Sequence, residues 1–281
     1  MLRQRIITAV ALLLVLLPAL FYPSPEPFCA LAIVFVAAAA WEWARLSAFG
    51  PAVSIAAGLA CALACVLAWQ GGLLDDRLLW LWVISAVVWV LGGSLLLRGG
   101  ADSWLKVPRS VRLAGGVLML VVAWLAVAQA RVIGVNFLLS ILLLVWVADI
   151  FAYFAGRTWG GRFTKSRLAP TISPRKSWEG VWGGLAGVVI LAFGWRWADI
   201  ALQASTPSFY SFLAQGRPWL LALAVIWLGG MSVVGDLVES LVKRAAAVKD
   251  SSNLLPGHGG VLDRLDALLP TVPLAMLLYR L

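Results

Sequence analysis

The chain is a succession of long apolar segments separated by shorter polar ones. Runs such as 6–20 and 219–234 approach the roughly 20 residues that a helix needs to cross the hydrocarbon core of a bilayer. Hydropathy predicts nine spans, near 6–22, 28–44, 51–69, 78–97, 113–130, 133–155, 180–198, 217–235 and 265–280. The pattern therefore predicts an all-α protein, a polytopic transmembrane helical bundle of about nine spans.

Composition supports a membrane protein over a soluble one. Of the 281 residues, 62% are hydrophobic and 12% are charged, whereas soluble domains carry about 25% charged residues. The net charge of +9 would indicate a nucleic-acid partner in a soluble protein, but Lys and Arg also collect in the cytoplasmic loops of membrane proteins. We therefore expect the lipid bilayer as the surroundings and no nucleic-acid partner.

The distribution of basic residues predicts the orientation. With nine spans and a cytoplasmic N-terminus, seventeen of the 22 Lys and Arg residues fall on the cytoplasmic side, as the positive-inside rule requires. The same topology places two long polar loops, 156–178 and 236–263, on that side. We expect residues 1–145 to form a transmembrane scaffold and residues 146–281 to form the catalytic region.

Acidic residues concentrate around these two loops. Seven of the 13 acidic residues lie in or beside them: Asp149, Glu179, Asp236, Glu239, Asp250, Asp263 and Asp266. Carboxylates near membrane depth are costly, and they usually face the protein interior or a wet cavity. Because topology explains basic residues but not acidic ones, these carboxylates indicate a functional site.

The second loop combines a helix face with a glycine-rich turn. Asp236, Ser240 and Lys243 are spaced i, i+4 and i+7, which places them on one face of a helix that leaves the eighth span. We expect that helix to end near residues 249–250. The following Pro-Gly-His-Gly-Gly run, 256–260, predicts a tight turn whose glycines allow a ligand to approach the backbone closely.

Two aspartates then open the last helix. Asp263 and Asp266 are three residues apart, and such a carboxylate pair beside basic residues suits a Mg²⁺ ion that holds phosphates. Other interpretations stay open for single residues. Asp263 also suits a helix cap, the glycines also suit an ordinary turn, and a lone His258 is more often structural than catalytic.

The first loop carries a run of positive charge. Asp149, Tyr153 and Gly156 share one helix face at the end of the sixth span, although Asp149 also suits pairing with a loop arginine. Six basic residues then precede the next acid: Arg157, Arg162, Lys165, Arg167, Arg175 and Lys176. We expect Arg175 and Lys176 to contact phosphate, and Lys165 and Arg167 only to set topology.

Both loops resemble the phosphatidate cytidylyltransferases, also called CDP-diacylglycerol synthases. In the second loop the resemblance lies in Ser240, Lys243, Arg244, Lys249, Asp250, Pro256, His258, Gly259, Gly260, Asp263, Arg264 and Asp266. In the first it lies in Asp149, Ala152, Tyr153, Gly156, Arg157 and the run 168–180. Arg175 and Ser177 stand where that family often has lysine and threonine, and arginine holds phosphate differently from lysine.

The resemblance implies an activity and its surroundings. Phosphatidate would attack the α-phosphate of CTP in line, with metal assistance, to give CDP-diacylglycerol and pyrophosphate, the first committed step of phospholipid biosynthesis. The implied cofactor is Mg²⁺, with a second cation left open. The implied location is a bacterial-type inner membrane with the site facing the cytoplasm, and the family suggests a homodimer that nothing in this sequence requires.

The resemblance also implies roles for particular residues. The catalytic set is Asp263, Asp266, Lys249, Asp250 and His258. The metal-binding set is Asp236, Asp250, Asp263 and Asp266. The substrate-binding set is Ser173, Arg175, Lys176, Lys243, Arg244, Gly259, Gly260, Arg264, Asp149 and Tyr153.

Two other functions compete with this interpretation. A CDP-alcohol phosphatidyltransferase also uses aspartates on membrane helices, but its run of Asp-Gly, then Ala-Arg, then two further aspartates does not occur in this sequence. An ion-coupled membrane transporter predicts charges near mid-membrane and broken helices. The acidic residues here cluster instead toward one predicted face.

Overall fold

The computed structural model describes residues 2–215 and 218–281. Its helices are α1 (Leu2–Phe21), α2 (Glu26–Leu46), α3 (Pro51–Gln70), α4 (Leu79–Val87), α5 (Ser94–Lys106), α6 (Arg109–Ile133), α7 (Val135–Trp159), α8 (Trp178–Ala201), α9 (Phe209–Leu213), α10 (Pro218–Ala245), α11 (Leu262–Leu265) and α12 (Leu268–Arg280). A π-helical turn, Val88–Gly93, joins α4 to α5. Extended pairing in these residues is limited to two isolated bridges, so the all-α prediction is confirmed.

The number of spans differs from the prediction at the C-terminal end. Within the described ranges, eight helical segments are long and apolar enough to cross a membrane, with α4 and α5 counted as one segment. In place of the predicted ninth span, 265–280, the short α11 ends at Leu265 and the 13-residue α12 begins at Leu268. Pro270 has no N–H to donate to the carbonyl of Asp266. The helix is interrupted at Asp266 and Ala267, one turn before this proline.

The 13-residue α12 nevertheless lies along the inside of the bundle. Its Tyr279 packs against Phe137 near the start of α7, with ring centroids 4.9 Å apart, whereas Asp266 lies at the opposite end beside α10. Residues 269–277 of α12 are buried. The chain therefore passes through the bundle a ninth time, in a helix enclosed by its neighbours rather than facing lipid.

Two close helix contacts position the polar residues of the second half. A Cβ on Gly235 of α10 would lie 2.5 Å from the carbonyl oxygen of Asp266, so only glycine allows α10 and the final helix to approach this closely. A Cβ on Gly184 of α8 would lie 2.8 Å from the carbonyl oxygen of Ala148 in α7. Small residues that let helix backbones approach are typical of membrane bundles.

The two polar loops lie at the same end of the bundle. Arg244 Nε donates to the carbonyl oxygen of Ile172 over 3.2 Å, which connects the second loop to the first. The hydroxyl of Thr8 in α1 donates to the carbonyl oxygen of Pro256 over 2.9 Å. The start of α1 therefore belongs to the same end.

Both loops are shorter than predicted, because the helices beside them continue further. Helix α7 extends to Trp159, so the first loop is 160–177. Helix α10 extends to Ala245, so the second loop is 246–261. The predicted helix face of Asp236, Ser240 and Lys243 is confirmed, but the helix ends before residues 249–250.

Candidate functional site

A cavity of about 430 Å³ opens between α7, α8, α10 and the first loop; we call it the polar cavity. Its charged lining residues are Asp149, Arg157, Arg175 and Lys176. Tyr153 and Gly156 also line it, so the helix face predicted from their spacing faces one cavity. Three cations and one carboxylate around such a volume favour an anionic ligand.

The start of α8 holds the first loop in place. The hydroxyl of Ser177 accepts a hydrogen bond from the amide of Gly180 over 3.2 Å, which caps the helix. The buried carboxylate of Glu179 accepts from the amides of Phe163 and Thr164 over 3.0 and 2.7 Å. These contacts fix both ends of the loop, and Lys176 is thereby directed into the polar cavity.

Carboxylates from two helices and from the segment between α11 and α12 converge beside Lys176. Its ammonium forms an ion pair with Asp236, and Asp236 also accepts from the hydroxyl of Ser240 over 3.3 Å. Asp149 and Asp266 lie close enough to Asp236 to interact with it electrostatically. The structure therefore brings together predicted site residues from α7, from α10 and from the segment between α11 and α12.

Two basic residues predicted to hold phosphate, Lys243 and Arg244, make contacts with other parts of the protein. The ammonium of Lys243 lies 2.5 Å from Asp263 Oδ1 and is also paired with Glu239. The guanidinium of Arg244 donates to the carbonyl oxygens of Ile172 and Val248. These bonds hold the end of α10 against both loops.

Asp263 binds the second loop to the start of α11. Its Oδ2 accepts from the amide of Ser251 over 2.9 Å, from the Ser251 hydroxyl over 2.8 Å and from the amide of Gly260 over 2.8 Å. Its Oδ1 accepts from Lys243. Asp263 therefore holds the second loop in place, but it does not cap α11, whose N-cap residue is Val261 and which has no side-chain cap hydrogen bond.

The sequence profile described as the cytidylyltransferase family matches residues 3–281. The chain belongs to the cytidylyltransferase family. The resemblance inferred from the two loops is therefore confirmed.

Several bacterial relatives are named phosphatidate cytidylyltransferase. The phosphatidate cytidylyltransferase of Pseudomonas aeruginosa is 38% identical over 281 residues, which cover 97% of this chain and 95% of that protein. The phosphatidate cytidylyltransferase of Haemophilus influenzae is 37% identical over 301 residues, which cover 99% of each chain. The Thermotoga maritima protein of that name is 42% identical over 144 residues, 51% of this chain and 48% of its own.

Sequence analysis missed one buried carboxylate of this family member. Glu42 in α2 is fully buried, and its Oε1 accepts from the Ser252 hydroxyl over 2.5 Å and from the Val261 amide over 3.0 Å. Its Oε2 accepts from the Leu262 amide over 2.6 Å and lies 3.1 Å from the Ser251 hydroxyl oxygen. Helix α2, in the first half of the chain, therefore holds the middle and the C-terminal end of the second loop.

A sequence signal for Glu42 did exist. It is an acid within the apolar run of the second span, and a carboxylate at such a position needs partners to offset the cost of burial. The same contact explains Gly260, where a Cβ would collide with the Glu42 carboxylate and the Ser251 hydroxyl.

The glycine-rich turn forms as predicted. The amide of Leu255 donates to the carbonyl oxygen of Gly259 over 2.9 Å, and the amide of His258 donates to the carbonyl oxygen of Leu255 over 2.8 Å. Gly259 has a φ of +83°, a left-handed conformation that favours glycine. The guanidinium of Arg264 donates to the carbonyl oxygen of His258 over 2.8 Å.

Three further predicted residues, Lys249, Asp250 and Ser173, lie outside the polar cavity. Lys249 and Asp250 are exposed on the second loop, and among the described residues they line neither this cavity nor the groove described below. Ser173 forms a tight turn in the first loop, where its amide donates to the carbonyl oxygen of Ala169 over 2.8 Å. The hydroxyl of Tyr153 accepts from Arg157 over 2.8 Å.

A second cavity of about 460 Å³ lies on the other side of α7; we call it the apolar groove. Side chains of α1, α2, α6 and α7 form its walls. The residues His258, Asp263, Arg264 and Asp266 lie at its polar end, and Asp149 lines both this groove and the polar cavity. The two cavities therefore share Asp149, with Asp266 on the groove side, whereas Asp236 lies beside Lys176 without lining either cavity.

The contacts of Asp263 predict a dependence of stability on acid pH. Burial raises the pKa of Asp263, but hydrogen bonds from Lys243 and from the amides of Gly260 and Ser251 outweigh it and lower the pKa to about 2. The ordinary value is about 3.9, so this group's contribution is present above about pH 4 and is lost as the pH falls toward 2. The melting temperature in detergent should therefore fall less between about pH 4 and pH 2 in Asp263→Asn than in the wild type.

A matched substitution separates this effect from general acid sensitivity. Asp102→Asn changes an exposed carboxylate in α5, and its melting temperature should fall with pH as much as that of the wild type. An equal fall in melting temperature in Asp263→Asn and the wild type would contradict the prediction.

Proposed function

We propose that this protein joins CTP to phosphatidate and forms CDP-diacylglycerol and pyrophosphate. The observation that carries the proposal is similarity over nearly the whole chain to relatives named phosphatidate cytidylyltransferase. The position of the two loops agrees with it, because they meet around a cavity lined by cations at one end of the bundle. Neither a phosphatidyltransferase nor a transporter gains comparable support.

The reaction needs charge neutralisation more than it needs a base. An oxygen of the phosphatidate phosphate bonds to the α-phosphorus of CTP, while the bond to the bridging oxygen breaks and pyrophosphate leaves with the electron pair. A phosphate monoester has a second pKa of about 6, so the attacking group is largely a dianion at neutral pH. The protein's task is to bring two anions together and align them.

We assign the nucleotide phosphates to the polar cavity. Arg157, Arg175 and Lys176 supply positive charge there, and the volume of about 430 Å³ lies within the range of small-molecule sites. Arginine offers a planar fork to phosphate oxygens, whereas lysine offers a compact point charge. Because Lys176 is already paired with Asp236, it would bridge the nucleotide and the carboxylates.

The carboxylates suit a magnesium ion that binds together with the substrate. Among residues 2–215 and 218–281, no three His, Cys, Asp or Glu side chains form a complete protein ligand set. Magnesium commonly uses one or two carboxylates and phosphate oxygens, so Asp236 and Asp266 would suffice to hold it. When bound, the ion would neutralise phosphate charge. Asp263 suits this role less, because its oxygens already accept bonds from Lys243, Ser251 and Gly260.

We further propose that the loop end of the bundle faces the cytoplasm at a bacterial inner membrane. Seventeen of the 22 Lys and Arg residues belong to that side in the predicted topology, in agreement with the positive-inside rule. CTP is a cytoplasmic solute and phosphatidate is a lipid. A site that uses both must open at the boundary between the two.

The direct test is pyrophosphate release by the purified protein in detergent micelles. We expect release from CTP only when phosphatidate and Mg²⁺ are both present, together with an equal amount of CDP-diacylglycerol. Omission of the lipid, or addition of a chelator, should abolish both products. Release that does not depend on phosphatidate would overturn the proposal.

The role of Lys176 leads to a kinetic prediction. Lys176→Met should raise the KM for CTP about 10-fold or more, because a hydrogen bond to a charged group is worth about 1.5–3 kcal/mol. Lys176→Arg should have a smaller effect, because it keeps the charge. Lys165→Met removes an exposed lysine of the same loop and serves as the control. Equal effects of Lys165→Met and Lys176→Met would contradict a specific contact.

A further inference from the structure

The apolar groove has an uneven distribution of polarity along its length. Most of its wall is aliphatic or aromatic, and includes Leu12 and Leu16 of α1 together with Leu31 and Phe35 of α2. Its charged lining residues are confined to the loop end. A site of this kind matches a ligand with one long apolar part and one charged end.

The position of the charged end relates the groove to the reaction site. Asp266 and Arg264 line the groove there, and Asp149 is shared with the polar cavity. The Arg264 side chain is exposed, and one of its N–H groups donates to the carbonyl oxygen of His258. Its other N–H groups can donate to an anion. A groove that merely held bulk lipid would have no reason to end at these residues.

The apolar walls come from helices that the catalytic motifs do not occupy. Helix α1 packs mainly along α2, and the side of α1 that faces away from the groove is exposed, with Leu14 69% exposed. Because that face carries aliphatic side chains, it suits contact with lipid. A lipid chain therefore has an apolar path between the bilayer and the carboxylates.

We propose that the apolar groove between α1 and α2 binds an acyl chain of the phosphatidate substrate, with the lipid phosphate beside Arg264. This inference rests on the proposed function. It adds where the lipid binds, and it implies that the groove influences which acyl-chain lengths the protein accepts. The nucleotide occupies the polar cavity on the other side of Asp149. The two substrates then meet where Asp149, Asp236 and Asp266 converge.

Two residues of α2 provide a matched test. Ala32 lines the groove, whereas Val34 is 64% exposed and is not among the groove residues. Ala32→Trp fills the groove, and Val34→Trp adds the same side chain to the outer surface. We would measure kcat/KM for dipalmitoyl and dioctanoyl phosphatidate, together with the KM for CTP, for both variants and the wild type.

We expect Ala32→Trp to lower kcat/KM for the long-chain lipid by about 10-fold or more relative to the short-chain lipid, the scale of steric discrimination in an apolar pocket. Its KM for CTP should stay within about twofold of the wild-type value, since the nucleotide lies in the other cavity. Val34→Trp should leave the ratio between the two lipids unchanged. An unchanged ratio in Ala32→Trp would mean that the groove holds bulk lipid or nothing, and would overturn the inference.

A measurement on the unaltered protein guards against misfolding of Ala32→Trp. Phosphatidate with a photoreactive group at the end of one acyl chain should label α1 or α2 at groove residues such as Leu12 or Phe35. Labelling confined to α8 or α10 would overturn the inference. Absence of turnover by the wild type with either lipid would instead overturn the proposed function, so the two failures are distinguishable.

Discussion

Asp266→Asn should lower the turnover of CTP with phosphatidate by about 100-fold or more while the protein stays folded. Asp266 lies where the polar cavity and the apolar groove meet, close to Asp236 and Asp149. Loss of one preorganised electrostatic partner at a reaction centre typically costs on the order of 100-fold or more in rate. The measurement is pyrophosphate release at saturating CTP and Mg²⁺.

The geometry explains why this substitution should spare the fold. The Oδ1 of Asp266 accepts from the amide of Ala267 over 2.7 Å, and the amide oxygen of asparagine can accept the same bond. Only the negative charge is removed. Asp75→Asn changes an exposed carboxylate between α3 and α4 and should keep normal turnover. Near-normal turnover in Asp266→Asn would show that the carboxylate is not needed at the reaction centre.

Glu42→Ala should have the second-largest effect, although Glu42 lines neither cavity among the described residues. The substitution removes the acceptor for the amides of Val261 and Leu262, both of which belong to buried residues. A buried donor left without a partner costs about 1–3 kcal/mol. We therefore expect a lower melting temperature in detergent and a fall in kcat of about 10-fold or more, because these amides place Asp263 and Asp266.

A graded pair of substitutions tests whether Glu42 acts through position. Glu42→Gln keeps one acceptor oxygen where the carboxylate has two, so its kcat and stability should lie between those of the wild type and Glu42→Ala. Asp102→Ala changes an exposed acid in α5 and should be neutral in both measurements. If Glu42→Gln and Glu42→Ala lose kcat equally while only the latter loses stability, the carboxylate has a role beyond positioning.

Local rules were sufficient where the relevant interaction lies within one helix or one turn. Helical spacing predicted that Asp149, Tyr153 and Gly156 share one helix face, and that Asp236 and Lys243 share another. The turn at 256–260 followed from its glycines. These features depend on the backbone period and on φ preferences, which neighbouring residues determine.

The same rules do not reveal the contacts that a side chain makes with distant parts of the chain. Lys243 and Arg244 are predicted to hold phosphate, and the structure adds that Lys243 pairs with Glu239 and Asp263 and that Arg244 donates to loop carbonyls. Helical spacing alone does not show which carboxylate or carbonyl another helix will place beside a cation. The last span was likewise too long in the prediction, because hydropathy does not detect the donor that Pro270 lacks.

By itself, the sequence determined the class of protein, its helical spans and its family. These properties follow from hydrophobic segment length and from two blocks of polar residues that are contiguous along the chain. Only the tertiary structure decided that Glu42 holds the second loop, and that α1 and α2 wall a groove ending at Asp266. The physical reason is separation along the chain: Glu42 and Leu262 are 220 residues apart, and only packing of the whole bundle brings them into contact.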